Sequence, residues 1–287
     1  MPDDRPTDPI GSISPHPGVA FRMAIGLCRF LATVVFGLRL ELRGTEHLPR
    51  DQHGLPAGGW IGVALPHRRW IDPFMLLLLL PIQPRLVFFG DGRALSRTRF
   101  RRVLFRLLGG VVPVWPHGGP TAFWAHIAAA RRVLDAGAVF VIFPEAGPPS
   151  APDRARQVQP GLGYLAMRTQ ARLVPMVIGG TGELYRGRRH VLEVMPTTSA
   201  QDLAGLSPEA RLPEQNSADE RAVAHRIADR FADMVAPPIA SLHADVERTS
   251  AGDVKRWQWL THWFDWDADA ADAARAARDA RKARPGG

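Results

Sequence analysis

Short apolar blocks alternate along the chain with stretches of helical periodicity. Blocks at residues 38–43, 60–65, 85–89, 111–115, 138–143, 172–178 and 190–195 read as strands. Between them, residues 73–80, 95–108, 121–136 and 161–170 read as helices. In the second of these, Phe100, Val103, Leu104, Leu107 and Leu108 mark one apolar face. Strands alternating with helices predict an α/β fold, a central mostly parallel sheet flanked by helices. There is no internal repeat.

The pattern changes at both ends. Residues 1–17 are rich in Pro, Asp and Ser and read as a leader. Residues 18–37 read as an amphipathic helix, with Arg22, Gly26, Arg29, Thr33 and Gly37 in one narrow stripe and apolar residues around the rest. Such a helix suits a membrane interface with its arginines reaching headgroups, or a core-packed helix with two arginines at its rim. The main domain is expected over 38–236, closing on a polar connector (197–217) and a helix (218–235) that ends before Pro237 and Pro238. Residues 237–287 read as a helical appendage carrying Trp257, Trp259, Trp263, Phe264 and Trp266, then a low-complexity tail. Tryptophan suits a membrane interface, and equally packing or dimerisation.

Composition narrows the chemistry. With 36 basic and 28 acidic residues the net charge is +8 and the pI near 10.9. That charge suits nucleic acid, anionic lipid or a phosphorylated substrate, or merely keeps the surface soluble. Hydrophobic residues at 46% mark a globular chain able to bury a core. The only lysines are Lys255 and Lys282, which excludes a P-loop and an early Schiff-base lysine. Cys28 stands alone, excluding an internal disulfide, a cysteine-rich zinc site and a CxxC pair. The first residues have the wrong charge for a signal peptide, and the longest apolar runs, 30–38 and 73–84, fall short of the ~20 residues that cross a bilayer. No HExxH or GxSxG occurs. Gly161-Leu-Gly163-Tyr-Leu-Ala166 has the letters of a dinucleotide fingerprint but no buried strand before it. Arg97, Arg99, Arg101, Arg102 and Arg106 crowd the 95–108 helix, to meet phosphates or simply water.

Candidate chemistry gathers where strands end. His67 follows the second strand, and Asp72 precedes Pro73 at the expected start of a helix. Asp72 suits an N-cap. Alternatively, the turn between them returns its carboxylate to the His67 ring, fixing the tautomer and leaving the other nitrogen to accept a proton. Glu145 follows the fifth strand through Pro144 and reaches the same sheet edge, or is a solvated turn residue.

Taken together, these segments resemble the glycerolipid (lysophospholipid) acyltransferase superfamily over residues 38–195. His67 and Asp72 match its histidine, four residues, aspartate signature. Residues 44–49 (Gly-Thr-Glu-His-Leu-Pro) look like the lead-in loop, 110–114 (Gly-Val-Val-Pro-Val) like the second block, and Phe143-Pro144-Glu145 like the third. Gln159-Pro160-Gly161 through Val174-Pro175 resembles the fourth. The resemblance implies an O-acyltransferase moving an acyl group from acyl-CoA or acyl carrier protein to a hydroxyl of a lipid or lipid-like acceptor. His67 would be the general base and Asp72 its orienting partner, with no metal and no cofactor. Glu145, with Pro144 and Gly147 of its block and Arg68 and Arg69 beside His67, makes up the implied substrate-binding set. The expected partners are the acyl donor, the acceptor and an anionic membrane surface rather than nucleic acid, at the cytoplasmic face of the cell membrane in a peripheral or monotopic manner.

The chain departs from the family at three positions. Pro116 stands where an arginine usually closes the second block, Pro148 interrupts the usual Gly-Thr-Arg-Ser run, and Gln159 or Pro160 replaces a basic residue before Gly161. Three phosphate-binding cations are thus absent, and Arg68, Arg69, Arg154 or Arg156 would have to replace them. Rival readings are a non-catalytic lipid-binding protein of the same fold, a conventional lysophosphatidate acyltransferase with relocated arginines, and a metal-dependent hydrolase ligated by His67 and Asp72.

Overall fold

The computed structural model describes residues 16–69, 71–91, 110–114, 119–146, 157–259 and 261. The expected helix at 95–108 lies outside them, as do Pro116, Gly147, Pro148, Arg154, Arg156, Trp263, Phe264 and Trp266. All seven expected strands form one sheet: β1 (Arg39–Arg43), β2 (Ile61–Leu65), β3 (Leu86–Asp91), β4 (Val111–Val114), β5 (Val139–Ile142), β8 (Leu173–Gly179) and β9 (Arg189–Val194). Their order is β1-β9-β8-β2-β5-β3-β4, and every pairing is parallel except β8 with β9. Two-residue strands β6 (Glu145–Ala146) and β7 (Gln157–Val158) pair separately and were not expected from the sequence.

The sheet is mostly parallel because its central strands are apolar on both sides. Every residue of β2, β5 and β8 is buried or nearly so, as a strand covered by helices on both faces requires. On one face lie α3 (Gly119–Asp135), α4 (Gly161–Thr169), α5 (Ala200–Ala204) and α6 (Ala218–Ser250). On the other lies α2 (Asp72–Leu79), whose Leu76 packs with Leu80 against Ala64, Met176 and Leu192. Gly163 lets α4 approach α6 closely, since a Cβ there would collide with the Ala224 carbonyl. That packing accounts for the glycine without any nucleotide.

The break expected at Pro237 is absent. Helix α6 runs on to Ser250 with Pro237 and Pro238 inside it, and Ile239, Leu242 and Val246 join the same core as Val223, Ile227 and Phe231. Burying three such side chains contributes ~1.5–3 kcal/mol each, offsetting interior prolines that cost roughly 3 kcal/mol apiece. Asp245 and Glu247 on the same stretch pair with Arg43, Arg189 and Arg188, tying it to β1 and β9.

Helix α1 (Val19–Phe30) continues into a π-helical turn, Leu31–Val35. Its Phe21 and Ile25 pack on Phe74, Leu77 and Ile82, while Val19, Met23, Leu27, Phe30, Val34 and Val35 are exposed. Arg29 differs from the headgroup-seeking role considered for it. Its guanidinium turns inward and donates to the carbonyls of Leu77 (3.3 Å) and Leu80 (2.5 Å), at the end of α2. A cation there satisfies carbonyls that the helix leaves unpaired. The exposed Trp257 meets Phe36 edge to face at 6.4 Å and lies under the Arg186 guanidinium, so the C-terminal segment adjoins the apolar surface of α1.

Candidate active site

Strand β2 delivers its chain to the C-terminal edge of the sheet, and residues 66–69 lead on from it toward α2. Asp72 is the first helical residue, fully buried, with Ile71 at the N-cap. It does not cap its own helix. Its carboxylate turns back, and Oδ2 accepts the backbone N–H groups of Arg68 (2.7 Å) and Arg69 (2.8 Å) while lying 2.9 Å from His67 Nδ1. One oxygen thereby folds the turn and holds the ring.

His67 is held at two further points, one on its ring and one on its backbone. Phe143, the last residue before Pro144, stacks on it at 4.3 Å between centroids and 26° between planes. The backbone N–H of His67 donates to Glu145 Oε2. Glu145 is itself placed by pairing with Val158, and Pro144 accepts from the Gln159 N–H at 2.8 Å. The His67 side chain remains 38% exposed. When Nδ1–H donates to the Asp72 carboxylate, Nε2 is the nitrogen left to accept a proton from solvent or substrate.

His67, Asp72 and Glu145 therefore meet at one sheet edge, with Pro144 setting the turn before Glu145. Arg68 and Arg69 join them through their backbone amides. Gly147 lies outside the described residues. Sequence reasoning missed Phe143 as a neighbour of the ring, although its place just after β5, the strand that pairs in parallel with β2, was the available signal. It also missed His190. This residue on β9 is wholly buried, without a hydrogen-bond partner on either ring nitrogen. Burial, with Arg188 nearby, pushes its pKa down to about 3, against an opposing pull from Asp72. Among the described residues no group of three His, Cys, Asp or Glu side chains is placed to hold a metal.

The acyltransferase family model matches residues 39–179, a span that begins with β1 and closes on the last residue of β8. Residues 39–179 form an acyltransferase-family domain. A similar solved structure is the 1-acyl-sn-glycerophosphate (LPA) acyltransferase PlsC from Thermotoga maritima, at 19% identity and a TM-score of 0.48. The match covers 74% of this chain and 78% of that one. No curated protein matches the chain. Within the acyltransferase domain and the helices on either side of it, no helix among the described residues is long and apolar enough to cross a membrane.

Proposed function

We propose that this protein transfers an acyl group from a thioester, acyl-CoA or acyl carrier protein, to a hydroxyl of a lipid or lipid-like acceptor at an anionic membrane surface on the cytoplasmic side. The observation that carries the reading is the approach of His67 Nδ1 to Asp72 Oδ2, with the His67 side chain partly exposed at the C-terminal edge of a parallel strand. The acceptor hydroxyl gives its proton to Nε2 as its oxygen attacks the thioester carbonyl. A C–O bond forms, the C–S bond breaks, and the leaving thiolate takes the proton back from His67. Asp72 keeps the ring in the Nδ1–H tautomer and balances the imidazolium as it forms. Phe143 stacks on the ring and steadies its plane, and Glu145 holds the backbone of His67 beside the position an acceptor would take.

A lipid acceptor is favoured by the surface next to the site. Phe36, after the π-helical turn, packs on the cluster of Ile71 and Met75 at the start of α2, so the segment that follows the exposed apolar helix α1 adjoins the turn that holds His67. A helix presenting apolar side chains from a strongly basic protein fits the interface of an anionic bilayer. An acceptor without a phosphate is favoured by the departures at Pro116, Pro148, Gln159 and Pro160. The Gln159 amide reaches Gln157 O at 3.4 Å and carries no charge. The test is an assay with radiolabelled acyl-CoA and acyl carrier protein against a panel of neutral lipids, lipidic alcohols and lysophosphatidate. Labelled ester should appear with wild type and vanish with His67→Ala. No transfer to any acceptor from either donor would favour a non-catalytic lipid-binding role.

A further inference from the structure

Two buried polar groups on the α2 side of the sheet lack partners, and the fold sets them facing each other. The first is Asp72 Oδ1. Its twin Oδ2 takes three donors, while Oδ1 is buried and has no hydrogen-bond partner. The second is His190, buried to 0% exposure, with neither Nδ1 nor Nε2 bonded.

Periodicity places them together. On β9, His190 shares a face with Leu192 and Val194, since side chains alternate along a strand. Leu192 and Val194 belong to the cluster that includes Leu76 and Leu80. On α2, Asp72 sits one turn before Leu76 and two before Leu80, on the same helical face. The residue one turn earlier on the helix thus lies above the residue two earlier on the strand. The neighbours agree: His190 pairs with Leu40 of β1, and Leu40 packs with Ile71 and Met75, which flank Asp72. The opposing pull of Asp72 on the His190 ring reflects the same proximity. No direct hydrogen bond joins the two.

A buried carboxylate oxygen and a buried imidazole without partners each cost free energy, and one bridging water can satisfy the oxygen together with one ring nitrogen. We propose that His190 is a positioning residue for Asp72, donating through one buried water to the Oδ1 that the backbone turn leaves unbonded. The carboxylate is then fixed at both oxygens. Oδ2 cannot rotate away from His67, and His67 keeps its proton on Nδ1. His190 touches no substrate and acts only through Asp72. Its lowered basicity suits this role, because a neutral ring carries one N–H donor and adds no charge beside Arg188.

The test reads the His67 tautomer by ¹⁵N NMR of the full chain, alongside kcat and KM. The effect on turnover rests on the acyl-transfer reading above; the effect on the tautomer does not. In His190→Leu, the Nδ1–H form of His67 should lose population to the Nε2–H form, and kcat should fall about tenfold with the donor KM unchanged. His190→Gln, which keeps an N–H donor, should restore both toward wild type. Should His190→Leu not fold, His190→Met takes its place against His190→Gln. A folded apolar variant with the wild-type tautomer would overturn the proposal, as would His190→Gln impaired as much as the apolar variant. A tautomer shift in His190→Leu, found where wild type itself transfers no acyl group, would uphold His190 and sink only the proposed activity.

Discussion

Asp72 holds His67 at 2.9 Å with the same carboxylate oxygen that accepts the amides of Arg68 and Arg69. The orientation of the ring and the shape of the turn are therefore one interaction. Asp72→Asn removes the charge from an acceptor serving three donors. Turnover should fall by about 10²-fold or more, and stability by ~1–3 kcal/mol as charge-assisted bonds become neutral ones. Steady-state kinetics beside urea unfolding measures both. Near-wild-type turnover would show that the ring needs no carboxylate.

Acid should expose the burial of His190. Its pKa is about 3 in the folded protein and 6.5 when exposed, so the unfolded chain binds a proton first as pH falls. Stability from this residue is complete above pH 6.5 and drains as pH drops toward 3, at about 1.4 kcal/mol per pH unit. In His190→Leu the stability–pH curve should be flatter by about that slope across this window. Identical slopes in both proteins, by urea unfolding at several pH values, would mean that the ring is accessible to protons.

Membrane attachment should depend on side chains that the fold does not use. Met23, Leu27 and Val34 are 70%, 58% and 60% exposed, so replacing all three with glutamate should leave thermal unfolding nearly unchanged. The same protein should no longer float with anionic vesicles at low salt. Trp259→Ser, at 55% exposure, should weaken flotation in the same direction. Wild type that stays unbound at low salt would contradict the interfacial reading of both segments.

The acceptor should not depend on an adjacent phosphate. Pro116, Pro148 and Gln159 offer a phosphate no cation, and each charge-assisted hydrogen bond forgone is worth ~1.5–3 kcal/mol, more than tenfold in preference. In competition, lysophosphatidate should be a poor acceptor beside a neutral lipid alcohol. If it is the best acceptor, and Arg69→Ala abolishes that preference, a relocated arginine binds the phosphate.

The strands were legible in the sequence because both their faces are apolar; β2, β5 and β8 announce themselves without any tertiary information. Asp72 could be read two ways, as a cap or as a partner of His67. The choice depended on a turn whose closure rests on the Arg68 and Arg69 amides, which no side-chain pattern reports. Phe143 and His190 were invisible as site residues because strand order, rather than nearness in the chain, brings them to His67 and Asp72. Pro237 misled for a related reason: local propensity breaks a helix there, while the buried faces of Ile239, Leu242 and Val246 carry it through.

In the proposed reaction Nε2 of His67 is the base. The most direct measurement is single-turnover transfer of labelled acyl group from thioester to a neutral lipid alcohol, comparing wild type with a His67→Ala variant verified as folded by circular dichroism. The ring is 38% exposed and its removal leaves the backbone bond to Glu145 intact, so the variant should fold. Its rate should drop by roughly 10²–10⁴-fold. A folded His67→Ala protein that transfers the acyl group at the wild-type rate would contradict the mechanism outright.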